Sequence, residues 1–208
     1  MDDARNVADG LARRREAALA GHRGDAAAAR AALTDDGAGV RATALAALAR
    51  TGDLHDAELT AGLADPSPEV RRRACEVAAS SHLAIDGVIA LLEDADPSVV
   101  EVASWAVGEF AEHDLISLST IALLSGIATG HEDALAREAA VASLGAIGDP
   151  AGLPAILAAT HDKPPVRRRA VLALAPFEGP EVDEALARAR DDRDWQVRDA
   201  AELLLRDS

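Results

Sequence analysis

The chain has 208 residues, enough for one elongated domain or two small ones, and its 49% apolar content is ample for a packed core. Ala and Leu dominate that content, aromatic residues are 2% and tyrosine is absent, a composition suited to closely packed helices rather than strands. With a formal net charge of −15, and Lys163 as its one lysine, the chain should repel phosphate backbones and anionic membrane surfaces, so neither nucleic acid nor membrane is expected as a partner.

The acid excess with almost no lysine also fits a halophilic source, although a GC-rich genome alone would favour Ala, Gly and Arg, and the scarcity of cysteine makes the cytoplasm the expected location. One cysteine, Cys75, allows neither an internal disulfide nor a cysteine-rich metal cluster. The chain opens with MDDARNVADGLARRRE, in which acids and arginines recur throughout, so no secretory leader is expected there. Residues 1–24 are instead assigned as a capping helix.

From residue 25 onward one pattern recurs. GVRATALAAL, EVRRRACEVA, SVVEVASWAV, LAREAAVASL, PVRRRAVLAL and QVRDAAELLL share a frame whose anchors are Val40, Val70, Val99, Ala136, Val166 and Val197. Successive anchors are 30, 29, 37, 30 and 31 residues apart, so the period is about 30 with one insertion. Four residues past each anchor stands an alanine: Ala44, Ala74, Ala103, Ala140, Ala170, Ala201. Eight past it the residue is always apolar: Leu48, Ala78, Val107, Leu144, Leu174, Leu205. Such spacing lines one face of an α-helix, with the alanine where another helix approaches most closely.

Helix starts precede the anchors. Asp35, Asp65, Asp94 and Asp192 stand five residues before theirs, and Pro68, Pro97 and Pro164 two before, where a missing N–H costs nothing. Upstream of each turn lies a second apolar-periodic stretch, as in AELTAGL, DGVIALL, LPAILAA and VDEALARA. Each unit is therefore helix, turn, helix. The units are 25–53, 54–84, 85–114, 115–149, 150–179 and 180–208. The insertion falls in Leu115–Asp133, where the uncharged run Leu115–Gly130 predicts a buried helix too short and too polar for a membrane span. Trp195 takes the place of the turn proline and is expected to staple the last hairpin.

Val-Arg-x-x-Ala opening the second helix, with Gly52-Asp53 and Gly148-Asp149 after it, resembles the HEAT repeat, particularly the short variety named after phycobilisome lyases. The resemblance covers residues 25–208 and implies an all-α, right-handed α-α superhelix of about six hairpins. It also implies that the arginines after the anchors, Arg41, Arg71, Arg137, Arg167 and Arg198, form ladders with turn aspartates. Function is not implied, because repeats of this kind serve lyases, adaptors, transport factors and enzymes alike.

Catalytic signatures are missing. The histidines His22, His55, His82, His113, His131 and His161 fall in turns or helix ends, with no i, i+4 pair to chelate a metal. His131-Glu132 is a doublet of the kind that HEAT-like deoxyhypusine hydroxylase uses to hold iron, but the matching positions read Arg72-Arg73, Glu101-Val102, Glu138-Ala139 and Arg168-Arg169. Cys75, beside the core alanine Ala74, reads as a packed thiol. No phosphate loop or nucleophile elbow occurs, and the charge opposes the DNA groove of HEAT-like alkylpurine glycosylases. No catalytic residue, metal or cofactor is assigned.

The second helices of HEAT hairpins line the concave side, and the residues two, six and ten past the anchors should point into it. These include Arg72, Glu76, Glu101, Trp105, Glu138 and Arg168, joined by Glu109 ten past its anchor: an acidic centre flanked by arginines around one tryptophan. The expected function is a protein-binding adaptor or scaffold for a protein or peptide carrying basic and apolar groups. The alternatives are a phycobilisome-lyase-like enzyme or chaperone handling a tetrapyrrole, and a structural module of a signalling or taxis complex.

Overall fold

Every alanine-marked segment is helical in a computed structural model that describes residues 2–111 and 116–206. His113, Leu115 and the boundary between the third and fourth units lie outside the described residues. The described residues form thirteen α-helices and no strand. The chain divides into two compact units, Met1–Leu91 and Leu92–Ser208.

The first unit contains α1 (Asp2–Arg23), α2 (Ala26–Ala31), α3 (Ala38–Thr51), α4 (Asp56–Leu63), α5 (Pro68–Ser81) and α6 (Ile85–Ala90). Helix α3 lies between α1 and α5, with α2 and α4 packed across them. The second contains α7 (Pro97–Glu109), α8 (Leu118–Gly130), α9 (Ala134–Ile147), α10 (Leu153–Ala159), α11 (Pro164–Ala173), α12 (Pro180–Arg190) and α13 (Trp195–Arg206). There α7, α9, α11 and α13 pack in series, while α8, α10 and α12 form the other layer. Within both units the fold is the all-α repeat architecture in which each hairpin rests on the next.

The helix boundaries follow from the turn chemistry. Pro68, Pro97 and Pro164 are the first residues of their helices, and Gly52 and Gly148 end α3 and α9 with φ of 77° and 68°, a conformation that an L side chain resists. The anchors Val40, Val70, Val99, Ala136, Val166 and Val197 are all buried, and so is every alanine four positions on. Eight positions on, Leu48, Ala78, Val107, Leu144 and Leu174 are core, but Leu205 is 43% exposed, contrary to expectation. No other described helix covers that end of α13.

The insertion lengthens the first helix of its hairpin: α8 has 13 residues, against 8 in α4 and 7 in α10. It is buried on one face only. Thr120, Ile121, Leu124, Ile127 and Ala128 turn inward while Leu118 is 69% exposed, so the uncharged run is amphipathic by position and not a buried rod.

Small residues set the helix spacing. A Cβ on Gly108 would stand 3.1 Å from the backbone of Ser143, and one on Gly145 would stand 2.7 Å from the Cα of Ala173. In both pairs the glycine is nine past its anchor and its neighbour seven past the next. Gly21 of α1 meets Ala47 in the same way, at 2.8 Å. Counting back nine places a hidden anchor at Ala12, so α1 has the register of a second helix. Arg13 then stands where the ladder arginines stand. Ala12 and Glu16, at the positions buried in the six units, are exposed on α1, which is why no sequence match reveals the relationship.

Candidate functional site

Arginine after the anchor is structural throughout. Arg41 donates Nε and Nη2 to the two carboxylate oxygens of Asp65 at 2.8 and 2.7 Å, and its Nη1 to the carbonyls of Asp35 and Asp36. Arg137 does the same with Asp162 at 2.6 and 2.8 Å, and Arg167 with Asp192 at 2.9 and 2.7 Å. Arg13 reaches Asp35 through Nε at 2.8 Å. Each planar fork thus ties the start of one second helix to the turn of the next hairpin. The paired aspartates feel it: hydrogen bonds from Arg41, Arg137 and Arg167 hold Asp65, Asp162 and Asp192 below the ordinary carboxylate value, against a smaller opposing effect of burial.

One rung is missing on both sides at once. Val100 replaces the arginine after Val99, and His131 replaces the aspartate five before Ala136. The Nδ1 of His131 accepts the N–H of Asp133 at 3.1 Å, the part that Asp35, Asp65, Asp94 and Asp192 play in their own turns. With no arginine on one side and no carboxylate on the other, this rung strands no ion-pair partner. This interface closes instead through the hydroxyl of Ser143, which donates to the carbonyl of Ser104 at 2.5 Å in full burial. The His131-Glu132 doublet is therefore turn chemistry. Among the described residues no group of three or more His, Cys, Asp or Glu side chains is placed to hold a metal ion, and Cys75 is buried.

The expected concave-face residues fall in both units. Arg72 and Glu76 lie on α5 of the first, where Arg72 is exposed and Glu76 accepts a hydrogen bond from Arg73 one turn back. Glu101, Trp105, Glu109, Glu138 and Arg168 lie in the second, on α7, α9 and α11, three second helices that pack side by side. Trp105 is 41% exposed, although its helix neighbours Ser104 and Ala106 are fully buried. Glu101 is half-buried one turn before it, and Glu109 exposed one turn after. Neither carboxylate has an ion-pair or hydrogen-bond partner among the described residues. Glu138 has one, the guanidinium of Arg169 at 3.6 Å, and Arg168 is exposed beside it.

Trp195 is a correction. It opens α13 but is 65% exposed, so it does not staple the hairpin by burial. It lines a shallow groove with Arg168, Leu172, Asp199 and Leu203, on the second helices two and three hairpins on from that of Trp105. Position six past the anchor holds Trp105, Ala142, Leu172 and Leu203 on the four second helices of this unit.

Residues 120–206 match the family model of HEAT repeats. No curated protein matches the chain significantly. Among solved structures, a designed armadillo repeat protein superposes with a TM-score of 0.64 at 18% identity, covering 86% of this chain and 97% of its own. A second designed armadillo repeat protein, in complex with a (KR)4 peptide, gives 0.62 at 19% identity and covers 88% and 92%. YibA of Escherichia coli gives 0.65 at 16% identity and covers 85% and 68%. These likenesses show a repeat-solenoid fold. No described helix is long and apolar enough to cross a membrane.

Proposed function

We propose that the chain is a non-catalytic protein-binding scaffold, and that the second-helix face of residues 92–208 takes a segment of a partner carrying basic and apolar groups. The observation that carries this reading is Trp105, a large ring left exposed between fully buried neighbours and flanked by two carboxylates with no partner among the described residues. An indole beside uncompensated acids offers a cationic side chain both a ring face and a countercharge, and such aromatic positions dominate the energy of interfaces. Leu172 and Trp195 extend the face with apolar area, and Glu138 and Arg168 sit between. The likeness to a designed protein whose bound peptide is built from Lys and Arg supports the same partner chemistry. Arg72 and Glu76 are proposed as contacts of the first unit, and the roughly 30-residue repeat as the short phycobilisome-lyase variety. No arrangement among the described residues favours the tetrapyrrole-handling alternative.

Calorimetric titration with a Lys-Arg octapeptide tests the reading. Binding to the intact chain, weakened about tenfold or more by Trp105→Ala and by the Glu101→Gln/Glu109→Gln pair, is the expected result. Equal binding by all three proteins would remove this face from the function.

A further inference from the structure

A second site of opposite charge lies on the other side of the ladder. Over the Arg167–Asp192 pair there is a cavity of about 350 Å³ lined by Thr160, His161, Arg167, Arg188, Asp192 and Arg193. The rest of its lining is aliphatic, from Val171, Ala185, Ala189 and Val197. Its counterpart over Arg41–Asp65 in the first unit, about 330 Å³, provides an internal comparison. That groove has Glu58 where this one has Ala185, and Ala61 where this one has Arg188. One cavity therefore gathers three guanidiniums against one carboxylate, the other one guanidinium against two carboxylates.

Arg167 is already committed to Asp192 and to the carbonyl of Asp162. The available cations are Arg188 and Arg193. Among the described residues Arg188 has the solvent-exposed carboxylate of Glu184, at 4.0 Å, and the guanidinium of Arg193 makes no hydrogen bond but adds its charge to the field that lowers the Asp192 pKa. Arg41, Arg71, Arg137, Arg167 and Arg198 of the ladder each donate to a carboxylate or a carbonyl, whereas Arg188 and Arg193 bring two further guanidiniums to one cavity of a chain with 36 acids and 21 basic residues. Planar guanidiniums pair bidentately with carboxylate and phosphate, and the adjoining aliphatic wall suits a short hydrocarbon group.

We propose that this cavity binds a small oxyanionic ligand, a phosphate or carboxylate head group held by Arg188 and Arg193 with a short apolar portion against Val171, Ala185 and Val197. The site is independent of the peptide face and faces the α10–α12 layer.

Amide chemical-shift titration of the full chain tests it, with inorganic phosphate and butanoate as probes and NaCl adjusted to hold ionic strength constant. Saturable shifts at residues 160–161 and 188–194 are expected, and the probe that saturates at lower concentration identifies the head group. Arg188→Gln/Arg193→Gln should weaken saturation about tenfold or more, because each replacement removes a charge-assisted hydrogen bond. Both side chains are exposed, so circular dichroism of the double variant should match the parent. Arg15→Gln, an exposed arginine on α1, should leave the titration unchanged. Non-saturating shifts spread over exposed arginines, or saturation of the double variant at the parent concentration, would overturn the proposal.

Discussion

Replacing Arg137 by methionine removes a ladder guanidinium while keeping much of the aliphatic stem. The lost interactions are two hydrogen bonds to Asp162 and two to the carbonyls of His131 and Glu132. The Arg137 side chain is 11% exposed and that of Asp162 20%, so the stranded carboxylate regains only part of its hydration. Breaking a fully buried pair costs about 3–5 kcal/mol. Allowing for the residual exposure of Asp162, a loss of about 2–3 kcal/mol is expected, or roughly 5–10 °C in Tm for a chain of this length. Arg13→Met removes the same kind of pair where the arginine is 46% exposed, and should cost about 0–1 kcal/mol. Urea unfolding followed by circular dichroism measures both. Adding Asp162→Asn to Arg137→Met should restore part of the loss, because the uncompensated charge goes with it, as at the natural Val100/His131 rung. Equal cost for Arg13→Met and Arg137→Met, or no recovery in the double variant, would refute the ladder as a burial-dependent tie.

Acid should unfold the chain through the same aspartates. Their folded pKa values are depressed, so their contribution is fully present above the ordinary value of 3.8 and is lost as pH falls through the lower folded values, and Arg137→Met should flatten this acid limb. Gly145→Ala should destabilise by about 1–3 kcal/mol, because the new methyl meets the backbone of Ala173. Gly126→Ala, on an open face of α8, should stabilise by about 0.5–1 kcal/mol, and thermal melts of the two variants that moved in the same direction would contradict the close-approach account. Because 36 acids face 21 basic residues, Tm should rise between low and molar NaCl, and a flat or falling curve would remove the salt-rich setting from consideration.

The repeat frame is legible in sequence because helical packing demands the same small residue at the same depth in every hairpin, and six alanines four past an anchor leave little freedom. The ladder was legible for Arg41, Arg137 and Arg167, yet its acceptor Asp162 was not. It stands four rather than five before Val166, with His161 in the aligned place, so a fixed offset passes over it. Helix α1 hid its register because Glu16 stands where the others keep alanine. Trp195 and Leu205 were misplaced for a common reason: periodicity marks a face as apolar but does not say whether another helix arrives to cover it. The candidate binding face was only partly legible. Offset arithmetic singled out Trp105 and its glutamates, whereas the cavity at Arg188 and Arg193 brings together α11, α12, α13 and the turn after α10, a convergence that no single segment encodes.

The most direct test of the scaffold reading is the emission of Trp105 itself. The chain has two tryptophans, so Trp195→Phe, which keeps an aromatic ring on the proposed face, leaves Trp105 as the sole indole reporter, and calorimetry on the same variant gives the peptide concentration at which it saturates. A ring 41% exposed emits as a partly hydrated indole, and a partner side chain settling over it excludes that water. Titration with the Lys-Arg octapeptide should give a saturable emission change, lost in Glu101→Gln/Glu109→Gln. Unchanged emission from Trp105 at peptide concentrations that saturate the calorimetric titration would place the partner elsewhere and contradict the account.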